Sequence, residues 1–186
     1  MRIAILALQG AFEEHRQVIE RLGEEPFLVR NLNDWRQDKQ ALIIPGGEST
    51  TMTRIMKDLN IWEDLRKEII SGLPVLGTCA GLIMLDRQHL DTMDIVARRN
   101  AYGRQLGSFH IQGTFKGLGI VPMTFIRAPY ISHVGKNVEV LAQVDGNVVA
   151  AREGNQLVTA FHPELDEDTR IHEMLLQMAA DYRKNL

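Results

Sequence analysis

Apolar residues fill positions 2–8 (RIAILAL) almost without a break, the pattern of a strand buried on both faces of a sheet. Gln9 and Gly10 interrupt the run. Over residues 11–22 the apolar positions become Ala11, Phe12, His15, Val18, Ile19 and Leu22. That is helical spacing, with Glu13, Glu14, Arg16 and Glu20 on the other face. Gly23 suits a helix stop. Residues 26–29 and 41–44 read as two further short strands. Pro45-Gly46-Gly47 ends the second, and helical stretches follow at 52–59 and 61–70. Residues 74–76 form another apolar strand, and residues 81–85 open the next helix. Strands alternating with helices predict a parallel sheet with covered faces.

The pattern changes after about residue 92. Segments 94–97, 106–115, 120–126, 138–144, 148–151 and 157–160 are short and β-like. Turn residues separate them: Gly117, Gly135, Asp145-Gly146-Asn147 and Glu153-Gly154-Asn155. Asp145-Gly146 and Gly154-Asn155 suit hairpin turns. This half reads as antiparallel or mixed. An amphipathic helix over 167–182 closes the chain. The expected fold is therefore α/β: a three-layer sandwich with a mostly parallel central sheet, helices on both faces and a smaller mixed or antiparallel β region. Residues 1–186 are expected to form one domain, with no repeat or linker.

Composition narrows the function. The chain is 45% hydrophobic and 24% charged, with a net charge of −3. Lys and Arg are scattered, so no nucleic-acid surface is expected. No apolar stretch reaches the length of a membrane span, and the start lacks a signal-peptide pattern. The single cysteine cannot form an internal disulfide, which fits a reducing, cytoplasmic setting. Histidines and carboxylates show no metal spacing, so no metal is expected. Neither Gly-x-Gly-x-x-Gly nor Gly-Lys-Ser/Thr is present, so no nucleotide loop is expected either.

That cysteine, Cys79, sits in Gly77-Thr78-Cys79-Ala80-Gly81 directly after a strand. Small residues around a nucleophile mark a sharp strand-to-helix turn, as in the Gly-x-Ser-x-Gly elbow of hydrolases. Such a turn sets the Ala80 N–H beside the sulfur as an oxyanion donor, and the helix start favours a thiolate. Far downstream, His162 follows the apolar strand 157–161, precedes Pro163 and has Glu164 two residues on. Strand ends in open α/β sheets gather at the active-site edge. Glu164 could orient His162 across an extended backbone, or simply begin the last helix. Pro45-Gly46-Gly47-Glu48-Ser49 reads as a second oxyanion donor from the Gly47 N–H, or as a plain βα turn with Ser49 or Thr50 as the helix cap. Arg98-Arg99-Asn100 and Ile126-Arg127 are candidate carboxylate sites, since the guanidinium fork matches a carboxylate.

Taken together, these residues resemble the class I (triad) glutamine amidotransferases. Within that class, Leu8-Gln9-Gly10-Ala11, Pro45-Gly46-Gly47-Glu48-Ser49-Thr50-Thr51-Met52, Gly77-Thr78-Cys79-Ala80-Gly81-Leu82, Arg99-Asn100, Tyr102-Gly103-Arg104-Gln105, Phe125-Ile126-Arg127-Ala128-Pro129 and Phe161-His162-Pro163-Glu164-Leu165 are similar to the glutaminase subunit of pyridoxal 5′-phosphate synthase. The resemblance implies a catalytic triad of Cys79, His162 and Glu164, and an oxyanion hole from Gly47 and Ala80. It implies glutamine binding by Gly47, Glu48, Ser49, Arg99, Ile126 and Arg127. It further implies no cofactor, partnership with a barrel-shaped synthase subunit, and a response to that partner at Gln9 and the Gly46–Gly47 peptide. Residues 86–98 depart from the family in being several residues shorter. The rival readings are the glutaminase of another synthase, such as that for imidazole glycerol phosphate, a non-enzymatic module on the same fold, and a cysteine peptidase or redox sensor.

Overall fold

The computed structural model describes residues 1–99 and 108–186. The motif residues Asn100 and Tyr102 to Gln105, and the first two positions of the expected strand 106–115, lie outside the described residues. The order of elements follows the hydrophobic pattern closely. Strand β1 (Arg2–Leu6) leads into helix α1 (Phe12–Arg21), then β2 (Glu25–Val29), one helical turn α2 (Leu32–Trp35) and β3 (Ala41–Ile44). Helices α3 (Ser49–Asp58) and α4 (Trp62–Ile70) precede β4 (Val75–Thr78), which runs into α5 (Ala80–Leu85). Strands β5 (Ile95–Arg98), β6 (Ser108–Phe115), β7 (Gly119–Ile126), β8 (Tyr130–Val134), β9 (Glu139–Val144), β10 (Asn147–Glu153) and β11 (Gln156–Thr159) follow, and α6 (Arg170–Lys184) ends the chain.

Among the described residues nine strands form one sheet in the order β2-β1-β3-β4-β11-β10-β8-β5, with β9 also on β10. The five from β2 to β11 run parallel. The others extend the same sheet antiparallel. Strands β6 and β7 make a separate antiparallel pair. Every residue of β3 and β4 is buried, so both faces of the central strands are covered. His15 of α1 meets His172 of α6, which puts those two helices on one face. Helices α3 and α5 pack together on the other.

Four elements differ from the sequence reading, one of them the helical turn α2, which was not expected and is capped by Asn31. Strand β8 was not expected: only Ile131 of Tyr130–Val134 is buried, so the stretch shows no apolar alternation. Helix α3 starts at Ser49, three residues early, because Glu48 caps it. Helix α6 starts at Arg170, three residues late, because residues Pro163–Leu165 form a 3-10 turn instead. The Asp145-Gly146 turn has both residues at positive φ (51° and 79°), the signature of a type I′ hairpin.

The first connection goes from β1 to β2 on one side, and the chain then returns to β3 on the other. Between β1 and β3 lies a topological switch point, where open α/β sheets place their ligand crevice. Gln9-Gly10 and Gly46-Gly47 stand there. Cys79 and His162 follow β4 and β11, the next two parallel strands.

Candidate active site

Cys79 occupies a backbone conformation rarely open to a residue with a side chain, φ 52° and ψ −105°. Such a conformation costs about 1–3 kcal/mol and persists only where its surroundings enforce it. The enforcement is visible. The Cys79 N–H donates to the Thr159 carbonyl of β11 at 2.8 Å, and the Cys79 carbonyl accepts from Leu82 N–H at 3.1 Å. The flanking glycines are required by close approach. A Cβ on Gly77 would lie 2.6 Å from the Gly81 carbonyl oxygen, and a Cβ on Gly81 would strike the Ile44 carbonyl. The strained turn projects Cys79 at the head of α5, where the Ala80 N–H has no carbonyl one turn back to receive it.

His162 arrives from the neighbouring strand. Its own N–H donates to the Thr124 carbonyl of β7 at 2.8 Å, so the β6–β7 hairpin holds it from outside the main sheet. Phe125 of that hairpin packs edge-on against Phe161 at 5.7 Å. The His162 ring sits against Gly46: a Cβ there would collide with the imidazole and lie 3.3 Å from the Cys79 Cβ. The Cys79 side chain borders Gly46 beside the ring, on one side of it. On the other, His162 Nδ1 is 2.5 Å from Glu164 Oε1. Glu164 reaches it through the 3-10 turn rather than across an extended backbone, and helix α6 begins six residues later, so Glu164 does not start that helix. Burial alone would push the His162 pKa down. Cys79 and Glu164 beside the ring outweigh it and raise the pKa to about 10. That shift favours the imidazolium form of His162 at neutral pH.

A cavity of about 150 Å³ opens beside the sulfur, lined by Gly47, Glu48, Ser49, Cys79, Ala80, Ile83, Arg99, Arg127 and Pro129. The Glu48 carboxylate accepts from Thr50 N–H at 3.0 Å and from Thr51 N–H at 2.8 Å. The expected cap by Ser49 or Thr50 is thus replaced by Glu48. The hydrogen bonds from the Thr51 hydroxyl and amide, then that from the Thr50 amide, hold its pKa at about 2. Ser49 is left free of capping, and its hydroxyl accepts from Arg99, which also reaches Thr50 Oγ1 at 3.3 Å. Arg127 stands at φ 45°, a second strained residue on the rim. Ile126 is 38% exposed and is not in the cavity wall. Ile83 and Pro129 do line it, although the sequence reading had not selected them. Ile83 follows Cys79 by four residues on the same helical face, a spacing that could have found it.

Gln9 and Gly46 meet across the switch point. Gln9 Oε1 accepts from Glu48 N–H at 2.6 Å. The Gly46 carbonyl accepts from Ala11 N–H at 3.0 Å. A Cβ on Gly10 would strike that carbonyl, so glycine is required there at φ 93°.

The fold and this constellation define a class. A solved glutamine amidotransferase superposes with a TM-score of 0.90 at 39% identity, covering 96% of this chain and 98% of its own. A second, from Thermotoga maritima, shares the fold at 12% identity, with a TM-score of 0.61, covering 100% of this chain and 84% of its own. More narrowly, residues 5–181 match the model of the SNO glutamine amidotransferase family, and the chain belongs to that family. A protein of Methanocorpusculum labreanum named pyridoxal 5′-phosphate synthase subunit PdxT is 59% identical, over 97% of this chain and 98% of its own length. A protein of the same name from Streptococcus pneumoniae is 53% identical, over 99% of this chain and all of its own.

Proposed function

We propose that the chain hydrolyses L-glutamine to L-glutamate and ammonia through a Cys79 thioester, and supplies the ammonia to a pyridoxal 5′-phosphate synthase partner. The observation that carries this reading is the grouping of Cys79 with His162, itself hydrogen-bonded to Glu164, beside an arginine-lined cavity, in a chain of this family.

With the proton on His162, the Cys79 sulfur attacks as a thiolate at the side-chain amide carbon of glutamine. The oxyanion that forms is held by the Ala80 and Gly47 N–H groups. The Gly46 carbonyl points at Ala11, so across their trans peptide the Gly47 N–H points the opposite way. His162 then protonates the departing nitrogen, the C–N bond breaks, and ammonia leaves a γ-glutamyl thioester. In the second half His162 takes a proton from water, whose oxygen displaces the sulfur to give glutamate. Glu164 holds the ring tautomer and the imidazolium charge.

Arg99 and Arg127 face the cavity and suit the α-carboxylate of glutamine. Glu48, held ionised, suits its α-ammonium, and Ser49 completes the lining, while Ile126 stands outside it next to Arg127. A cavity of about 150 Å³ suits one amino acid rather than a peptide, which argues against a cysteine peptidase. The similarity to subunits named PdxT favours a synthase that makes pyridoxal 5′-phosphate over one that makes imidazole glycerol phosphate. The partner is a barrel-shaped subunit that docks near Gln9 and adjusts the Gly46–Gly47 peptide. Residues 1–186 act as one glutaminase domain in the cytoplasm, where the thiol stays reduced. Among the described residues no helix is long and apolar enough to cross a membrane.

Glutamate release, assayed with and without the partner synthase, tests the reading. A rate that rises on adding the partner supports it. No release in either state overturns it.

A further inference from the structure

Behind the triad lies a buried polar cluster that the reaction as written does not use. Glu164 presents Oε1 to His162, but its second oxygen, Oε2, is buried and lacks a hydrogen bond of ordinary geometry among the described residues. The polar atom facing it is His15 Nε2, at 3.4 Å. The same nitrogen is 3.2 Å from Thr78 Oγ1, in the strand that delivers Cys79. On its other side His15 Nδ1 lies 2.8 Å from His172 Nε2. His15 and His172 are both fully buried, although the hydrophobic pattern treats His15 as merely an apolar position of α1.

Proton placement in this cluster is determined by elimination. Two neutral imidazoles carry one N–H each. His172 Nδ1 is buried with no partner among the described residues, so a proton there would be an orphaned donor, which is costly. The His172 proton therefore sits on Nε2 and is donated to His15 Nδ1. The His15 proton must then be on Nε2, aimed at Thr78 Oγ1 and Glu164 Oε2. Only this arrangement gives every N–H of the pair an acceptor.

We propose that His15 is a positioning residue for the triad carboxylate: its Nε2–H faces Glu164 Oε2, fixes the carboxylate against His162 and stabilises its charge from behind. The groups around it bear this out. Burial, followed by the neighbouring imidazoles of His172 and His162, pushes the His15 pKa well below its usual value. Burial, then Arg21, lowers that of His172 to about 4. Both rings stay neutral at working pH, so the pair supplies an oriented donor without a second positive charge to compete with His162. Contact at 3.4 Å is long for a hydrogen bond in the resting site, and such bonds often tighten only once substrate is bound.

The inference rests on the glutaminase reading, so its test has one arm that needs no activity. Histidine-labelled wild-type chain, measured by two-bond proton–nitrogen NMR, should show His15 and His172 both protonated at Nε2. A proton on His15 Nδ1, or a charged His15 at pH 7, overturns the proposal whatever the chain catalyses. In the second arm, variants are assayed as the complex with the synthase partner. His15→Phe removes the donor and should lower kcat about tenfold or more with KM little changed, as for loss of a hydrogen bond to a buried charge. His15→Gln places an amide N–H near the old Nε2 and should recover most of that loss. A His15→Phe enzyme with normal kcat, or a His15→Gln enzyme no better than His15→Phe at equal thermal stability, overturns the proposal. A wild-type complex that releases no glutamate overturns the glutaminase reading instead, and the tautomer then decides the matter of His15 alone.

Discussion

The amide of Cys79 donates to the carbonyl of Thr159 at 2.8 Å, and this one backbone bond ties the strand that delivers the thiol to the strand that delivers the imidazole. Strands β4 and β11 pair in parallel register, Thr78 opposite Thr159. Thiol and imidazole therefore leave the sheet side by side, though they are far apart in sequence. The elbow geometry is held in place by this pairing and by the glycines around it.

Removing the strained side chain should separate stability from activity. Cys79→Ala and Cys79→Gly should both abolish glutaminase turnover. Cys79→Gly should nevertheless be the more stable of the two by about 1 kcal/mol, since glycine adopts φ 52° without steric cost. Thermal melting of the pair checks it; a lower melting temperature for the glycine variant would mean the elbow is unstrained.

Close approach makes the second elbow glycine important to stability. A Cβ at Gly81 meets the backbone carbonyl of Ile44, which cannot rotate away as a side chain could. Gly81→Ala should destabilise by about 1–3 kcal/mol or more, as for overpacking elsewhere. Urea denaturation reads this directly, and an unchanged midpoint would contradict the packing described.

The proposed triad predicts a graded series. His162→Asn should lower kcat by orders of magnitude, since it removes both the acid for ammonia and the base for water. Glu164→Gln should cost less and should also move a pKa. The carboxylate helps hold the imidazolium up to about 10, so its loss lowers the His162 pKa and shifts the alkaline limb of kcat to lower pH. A pH–rate profile with an unmoved alkaline limb would remove Glu164 from this role.

Stability should depend on pH from both sides. His15 and His172 stay neutral in the fold, with pKa values depressed from the usual 6.5, to about 4 for His172. Below pH 6.5 the unfolded chain binds protons that the fold refuses. Stability should therefore fall as pH drops from 6.5, by about 1.4 kcal/mol per pH unit for each histidine until its folded pKa is reached. His162 acts in the opposite sense. Its pKa is raised from 6.5 to about 10, so its contribution is complete below 6.5 and is lost as pH rises toward 10. Melting temperatures should peak near neutrality. His172→Leu should flatten the acid side and His162→Asn the alkaline side; unchanged slopes would contradict the burial of the first and the ion pairing of the second.

Much of this was readable along the chain. The buried parallel strands β1 and β3 read as continuous apolar runs and β4 begins as one, α1 is a clean amphipathic helix, and the Asp145-Gly146 turn is where its residues demand. The elbow was legible because small residues around one cysteine have few other uses. Strand β8 was not, because Ser132 and His133 blur its alternation. Nor was the capping role of Glu48, since sequence alone ranks Ser and Thr above Glu as caps. Glu164 could be named but not placed, because a 3-10 turn and an extended segment are equally open to Pro163-Glu164-Leu165.

By itself the sequence determined the strands and helices, the strained elbow and the kinds of group available for chemistry, because periodicity, turn residues and side-chain reactivity are local properties. Tertiary structure alone decided which groups meet. The register of β4 on β11 brings Cys79 to His162, the β6–β7 hairpin buttresses the imidazole, and the packing of α1 against α6 sets His15 behind Glu164. These are contacts between residues far apart in the chain, and they follow from sheet order and helix docking rather than from any pattern along the chain.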